Sequence, residues 1–352
     1  MKVRDGGIHI GLLPTGEKNC ITDVEGVRVG HVTLDYPLDE NGKYACTGVT
    51  AILPHGGNLF QQKVTATSCI LNGFGKTTGL VQVNELGVIE SPIMLTNTFG
   101  VPAVTQGTLQ YMLGENEEIG DTTGTINIVV GECNDGHLNS IRECPVQPKH
   151  AIEAIQKASK STASEGAVGA GKGMVCFGYK GGVGSSSRIV SAEEDTEVAY
   201  TIGCMVLSNF GEEYELLAER YGLKGNEEKS TITPTDGSII IVLATDAPLS
   251  SRQLLRVIKR CGIGLGRTGS HLSHGSGDIV IGFTTAHNIP HATDKLIETR
   301  TQLREDHPMM NRLFTAAAEV TEEAILNSLS QAETTIGRDG NVVNAYLFNF
   351  NQ

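Results

Sequence analysis

The alternation of apolar and polar positions predicts a chain of strands and tight turns broken by a few amphipathic helices. Residues 21–34 alternate around Gly26 and Gly30, and residues 47–53 form an apolar strand stopped by Pro54-His55-Gly56-Gly57. Residues 125–130 predict a strand that delivers Gly131-Glu132-Cys133-Asn134-Asp135-Gly136. Residues 174–177 and 198–207 predict two more strands, the second ending in Ser208-Asn209-Phe210-Gly211. Helical spacing marks residues 108–113 and 150–161, the latter with Ala151, Ile152, Ala154, Ile155 and Ala158 on one side. After Gly211, Tyr214, Leu216, Leu217 and Tyr221 line one side of a short helix closed by Gly222. Asp246 is placed to cap a helix with Pro248 in its first turn and a stripe of Leu254, Leu255, Ile258 and Cys261 ending at Gly262. Residues 308–329 predict a last helix, with Leu313, Ala317, Val320 and Ala324 on one side, and residues 341–350 a closing strand.

One junction carries candidate chemistry. Residues 239–244 are continuously apolar and β-branched, which suits a strand buried on both faces. Directly before it stand Gly237 and Ser238, and before them residues 224–236 carry almost no large apolar side chain, as an exposed linker would. A glycine at 237 leaves the preceding peptide free to take a strained shape and leaves its carbonyl open to the Ser238 hydroxyl. Cleavage there would make Ser238 a new N-terminus holding a hydroxyl nucleophile and an α-amino base of pKa about 8. Taken alone, the pair also fits a strand that merely begins after a turn.

Composition narrows the choice. The 352 residues include 43 glycines and no tryptophan, which favours a sheet-rich body with many turns. A formal net charge of -13 argues against nucleic acid and anionic membrane as partners, because both need a basic face. Cys20, Cys46, Cys69, Cys133, Cys144, Cys176, Cys204 and Cys261 are scattered without a C-x-x-C pair, so they read as reduced, buried thiols of a cytoplasmic protein. The N-terminus lacks the apolar stretch of a signal peptide, and no run approaches the roughly 18 residues of a membrane span.

Several lookalike motifs fail on spacing. Residues 73–78 end like a phosphate-binding loop, but Ile70 stands where its first glycine belongs. Residues 169–173 and 262–266 lack the G-x-G-x-x-G spacing and read as tight turns. His271 and His274 with Asp278 suggest a metal, yet no further ligand completes a zinc set, so they read as solvated loop residues. No metal or cofactor is expected.

Separated motifs in a fixed order carry a family resemblance. They are Lys18-Asn19-Cys20-Ile21-Thr22-Asp23-Val24-Glu25-Gly26-Val27-Arg28-Val29-Gly30-His31, Thr47-Gly48-Val49-Thr50-Ala51-Ile52-Leu53-Pro54, Gly237-Ser238-Ile239-Ile240 with Ala244-Thr245-Asp246-Ala247-Pro248-Leu249, and Gly275-Ser276-Gly277-Asp278. Together they resemble the DmpA-like aminopeptidases, which include L-aminopeptidase/D-esterases and β-peptidyl aminopeptidases, along nearly the whole chain. The resemblance implies an α+β fold, an αββα sandwich like that of N-terminal nucleophile hydrolases, with two stacked, mainly antiparallel sheets between helix layers. It implies residues 1–352 as a single domain that cuts itself into an α chain, 1–237, and a β chain, 238–352. Ser238 would be the nucleophile, Ser276 and Asp278 a proton-relaying pair, and Asn209 an oxyanion donor. Glu132 would receive the substrate's free amino group. The acid is often a glutamate in this family, so Asp278 is one methylene shorter. A tyrosine of some relatives is Asn134 here, so its donor comes from an amide or is missing. The expected substrates are short peptides, amides or esters with a free amino group, and a homo-oligomer is expected. Two rivals stay open, an acyltransferase on a related scaffold and an unprocessed, non-catalytic binding protein.

Overall fold

The computed structural model describes residues 1–192, 198–223 and 237–348. In chain order it runs through β1 (Arg28–Pro37), β2 (Tyr44–Leu53), β3 (Gln62–Gly73), α1 (Leu80–Leu86), β4 (Val88–Ile89), β5 (Ile93–Asn97), α2 (Val101–Glu115), β6 (Val129–Cys133) and α3 (Pro148–Gln156). It continues with β7 (Val175–Cys176), β8 (Tyr179–Lys180), β9 (Gly182–Ser191), β10 (Ala199–Asn209), β11 (Ser238–Thr245), α4 (Ser251–Ile258), α5 (Cys261–Thr268), β12 (Gly277–Pro290), α6 (Met309–Ser330), β13 (Thr335–Ile336) and β14 (Val342–Val343). Two large sheets form, one ordered β1-β2-β5-β6 and the other β4-β3-β12-β11-β10-β9, and only the β5–β6 and β11–β12 pairs are parallel.

The layering follows from which side chains each strand sends to which side. On β11, Ile240, Val242 and Ala244 enter a core between the sheets, where they meet Val29, Ile52, Leu95 and Val129. The alternate residues Ile239, Ile241 and Leu243 pack under α4, α5 and α6. A third apolar layer, with Val49, Met94 and Val130, lies beneath α2 and α3. The stack is therefore helix, sheet, sheet, helix, and β11 is apolar at every position from 239 to 244 because water reaches neither face.

Close approach of α5 and α6 to their neighbours depends on glycine. A Cβ at Gly184 on β9 would stand 1.9 Å from the Ala324 carbonyl oxygen of α6, and one at Gly264 on α5 would stand 2.3 Å from that of Ala318. Residues 262–266 are therefore part of a helix, not the tight turn their spacing suggests. Likewise Gly262 does not end the preceding helix. The cap of α4 is Ser250, whose hydroxyl accepts from Gln253 N, while Asp246 accepts from Thr201 N at 2.7 Å. Three further expectations shift: the strand expected at 125–130 begins only at Val129, the helix expected through 161 ends at Gln156, and of the closing strand expected at 341–350 the described residues, which stop at 348, form only Val342–Val343. After Gly211 two 3-10 turns replace the helix, and Tyr214 and Leu217 are exposed while Leu216 and Tyr221 are buried. The linker expected at 224–236 lies outside the described residues. All eight cysteines are free thiols, but Cys144 is exposed and Cys69 half-buried, against the expectation that all are buried.

Buried charges pin the N-terminal arm to this frame. The guanidinium of Arg188 on β9, fully buried, meets Glu319 at 2.9 Å and Glu323 at 2.6 Å on α6 and donates to the Ile10 carbonyl. Arg4 shares Glu323 at 2.9 Å.

Candidate functional site

Strand register brings the sequence-distant candidates together. Ser238, the first residue of β11, lies opposite Asn209, the last of β10, and beside Gly277, the first of β12. Adjacent strands are about 4.8 Å apart, so one end of this sheet gathers Asn209, Ser238, Ser276 and Asp278 without any special loop. The other sheet adds Glu132 from β6. At Gly131, its neighbour, a Cβ would lie 3.0 Å from Ile240 of β11. A Cβ at Gly75 would lie 3.6 Å from Glu132 Oε1 and 3.7 Å from the Gly277 Cα, so the carboxylate and the Ser238 strand end border one space.

Ser238 is 6% exposed, and its hydroxyl donates to the carbonyl of Gly237 at 2.7 Å. The N–H of Gly277 lies 3.2 Å from the Ser238 Oγ and 3.2 Å from the Gly237 oxygen, donating to both. A hydroxyl, the peptide bond before it and a polarising N–H therefore stand within one hydrogen-bond shell. A Cβ at Gly237 would meet the Phe210 Cα at 3.0 Å, so a side chain there would press the end of β10 aside by a few tenths of an ångström.

Ser276 donates to Asp278 Oδ1 at 2.6 Å, so the aspartate reaches its serine despite the shorter side chain. Asp278 is fully buried, and that burial raises its pKa from 3.8 to about 6 against the lowering effect of the Ser276 hydrogen bond. Among the described residues the Ser238 hydroxyl makes no hydrogen bond to Ser276. The Ser276 loop is fixed by Asn72, whose amide donates to the carbonyls of Ser273 at 2.9 Å and Ser276 at 2.5 Å.

Asn209 is clamped at both ends of its amide. Its Oδ1 accepts from Val175 N at 2.9 Å, and its Nδ2 donates to the Asn134 carbonyl at 3.0 Å, leaving a second N–H for another acceptor. Asn134 thus contributes its main chain; its side-chain oxygen turns back to accept from Gly136 N at 2.9 Å. Glu132 is buried, accepting from Lys76 N at 2.8 Å and from the Thr98 hydroxyl.

Beside Gly237 lies a cleft of about 520 Å³, walled by Phe74, Phe210, Tyr214, His274 and Ser276. A larger cavity of about 720 Å³ lies between residues 6–11 and α6, with no lining residue in common, and its Arg220 and Arg267 are both taken up by Glu322. His271 is exposed, 4.0 Å from Glu215, and among the described residues no three His, Cys, Asp or Glu stand together as a metal set.

The sequence reading missed the Gly277, Val175 and Lys76 N–H groups, because main-chain donors have no residue signature. Thr98 carries one weak signal, its place just after strand β5 and the Asn97 that caps the following turn.

Comparison with known proteins gives the family and the fold. The model of "Peptidase family S58" matches residues 19–343. The β-peptidyl aminopeptidase BapA of Sphingosinicella microcystinivorans is 37% identical over 96% of this chain and 88% of its own length. The PH0078 protein of Pyrococcus horikoshii OT3 superposes with a TM-score of 0.88 at 46% identity, covering 99% of this chain and 96% of that one. The L-aminopeptidase D-Ala-esterase/amidase of Ochrobactrum anthropi, a serine aminopeptidase described as a new variant among the Ntn hydrolase fold, gives a TM-score of 0.89 at 32% identity, covering 98% and 95%. The four layers are that fold variant, and this chain belongs to peptidase family S58 as one of its aminopeptidases.

Proposed function

We propose that this aminopeptidase cuts itself between Gly237 and Ser238 and then removes single N-terminal residues from short peptides, amides or esters through an acyl-enzyme on Ser238. The observation that carries the reading is the Ser238 hydroxyl at 2.7 Å from the Gly237 oxygen, with the Gly277 N–H aimed at both. In self-cleavage the Oγ–C bond forms at Gly237 and the charge that develops on its oxygen falls to the Gly277 N–H. The Gly237–Ser238 C–N bond then breaks, and the hydroxyl proton passes to the departing nitrogen. Water hydrolyses the resulting ester, leaving a Gly237 carboxylate on a 1–237 chain and a free amine on a 238–352 chain of the same domain.

In turnover the same atoms act on substrate. Ser238 attacks, its own amine serves as base, and Ser276 with Asp278 stores and returns the proton. Asn209 Nδ2 and Gly277 N hold the oxyanion. Glu132 receives the substrate's free amino group, since a buried carboxylate favours a cation and rejects a blocked terminus. Asn134 supports Asn209 through its carbonyl. The acidic net charge suits small substrates rather than nucleic acid, free thiols throughout suit a reducing cytoplasm, and assembly is as a homo-oligomer.

The test is the intact mass of wild type beside Ser238→Ala, followed by turnover of free and N-acetylated aminoacyl anilides. Two fragments meeting at Gly237/Ser238 in wild type only, and turnover of the free-amine substrate only, support the reading. An uncut, inactive wild type after prolonged incubation would move it to a binding protein. Aminolysis products outweighing hydrolysis would move it to an acyltransferase.

A further inference from the structure

Lys180 is fully buried, and its ammonium donates to three main-chain carbonyls: Gly171 at 2.9 Å, Met174 at 2.8 Å and Gly181 at 2.7 Å. No step above uses it. Its place in the fold ties it to Asn209. Lys180 on β8 is the register partner of Val175 on β7, and the ribbon they form has only two residues per strand, too short to hold itself. The Met174–Val175 peptide then joins the two residues directly: its C=O accepts from Lys180 Nζ, and its N–H donates to Asn209 Oδ1 at 2.9 Å.

We propose that Lys180 is a positioning residue for the reaction, acting through the Met174–Val175 peptide to fix and polarise the Asn209 amide as an oxyanion donor. The inference rests on the reading of Asn209 as that donor. A cation on the carbonyl end of a peptide strengthens its N–H as a donor, and a stronger bond to Oδ1 draws electron density from Nδ2, so each link reinforces the next. The Asn134 carbonyl at 3.0 Å takes one Nδ2 hydrogen and orients the other. Burial works against the charge and pulls the amine down to about 7. The cage works for it, because a neutral amine has two N–H groups and would turn a lone pair on the third carbonyl. Asp135, one residue beyond Asn134, steadies the opposite jaw: its carbonyl accepts from Leu138 N and Asn139 N, and its carboxylate from Asn139 Nδ2 at 2.9 Å.

A double-mutant cycle separates this role from a general structural one. Lys180→Met, Asn209→Ala and the double variant are compared with wild type, with kcat normalised to the fraction cut at Gly237 as read by mass. The expected result is a kcat about tenfold lower for Lys180→Met with KM within twofold, and less than twofold further loss when Lys180→Met is added to Asn209→Ala. Multiplying losses, or a loss confined to KM, would overturn the proposal. An unchanged kcat in Asn209→Ala would instead show that the reading of Asn209 is wrong. If Lys180→Met does not fold, Lys180→Gln, which keeps two N–H donors without the charge, takes its place in the same cycle. Failure of both to fold would overturn the proposal, because a residue the fold itself requires is not acting through Asn209.

Discussion

Replacing Asp278 by asparagine tests the electrostatics of the site through stability. Burial raises the carboxyl from 3.8 to about 6, so the folded protein holds this proton more tightly than the unfolded chain does. The contribution is fully present below the unfolded value and is lost as pH rises through the folded one; above about pH 6 the buried carboxylate costs about 3 kcal/mol. The asparagine of the Asp278→Asn variant does not titrate, and its side-chain oxygen keeps the hydrogen bond from Ser276. Whatever constant penalty its amide brings, the stability gap between variant and aspartate protein should move in the variant's favour by about 2 kcal/mol between pH 4 and pH 8. Urea unfolding at the two pH values reads this, with Ser238→Ala in both proteins so that each stays uncut. A gap that stays constant within about 0.5 kcal/mol, or moves the other way, would show that Asp278 is not held above its ordinary range, and the argument from burial would fail.

Three further outcomes follow from the same geometry. Because Asp278 must be ionised to accept a proton, self-cleavage and turnover should rise as pH passes through about 6, and a pH–rate profile flat from pH 5 to 7 would remove it from the reaction. Glu132→Gln puts an N–H donor where Lys76 N and the Thr98 hydroxyl already donate, so KM for a free-amine substrate should rise at least tenfold; an unchanged KM would place the amino group elsewhere. Gly184→Ala drives a methyl to 1.9 Å from the Ala324 carbonyl and 2.5 Å from Ser328 N, both backbone atoms of α6, and should cost about 3 kcal/mol. Thermal melting checks this, and an unshifted Tm would mean that β9 and α6 are not in contact at that depth.

The fold was legible where burial alone decides. Residues 239–244 read as a buried strand because both faces of β11 meet apolar layers, and the long apolar stripe of α6 survives in the structure for the same reason. It was illegible where one residue type serves two ends. Glycine usually stops a helix, so Gly262, Gly264 and Gly266 looked like turns; in α5 the central one exists to let α6 approach within reach of its backbone. Asp246 looked like a cap because aspartate before proline often is one, yet its partner, Thr201 N, comes from a neighbouring strand that no local pattern announces.

The site divides along the same line, between side chains and main chain. Ser238, Asn209, Ser276 and Asp278 were singled out through a resemblance written in side chains, and strand register explains why three distant segments meet at one sheet end. Peptide N–H and C=O groups contact Ser238 (Gly277), Asn209 (Val175 and Asn134) and Glu132 (Lys76), and their positions depend on tertiary folding. Glycine at 277 is the partial exception. A Cβ there would lie 2.7 Å from the Phe74 carbonyl oxygen, so the residue that donates to Ser238 is also one that only glycine can fill. The same close approach keeps the 73–76 loop against β12, and that loop carries the Lys76 N–H that holds Glu132. The proposed nucleophile and the proposed amine receptor are thus set at their separation by one backbone contact, which in that reading ties which bond is attacked to which end of the substrate is bound.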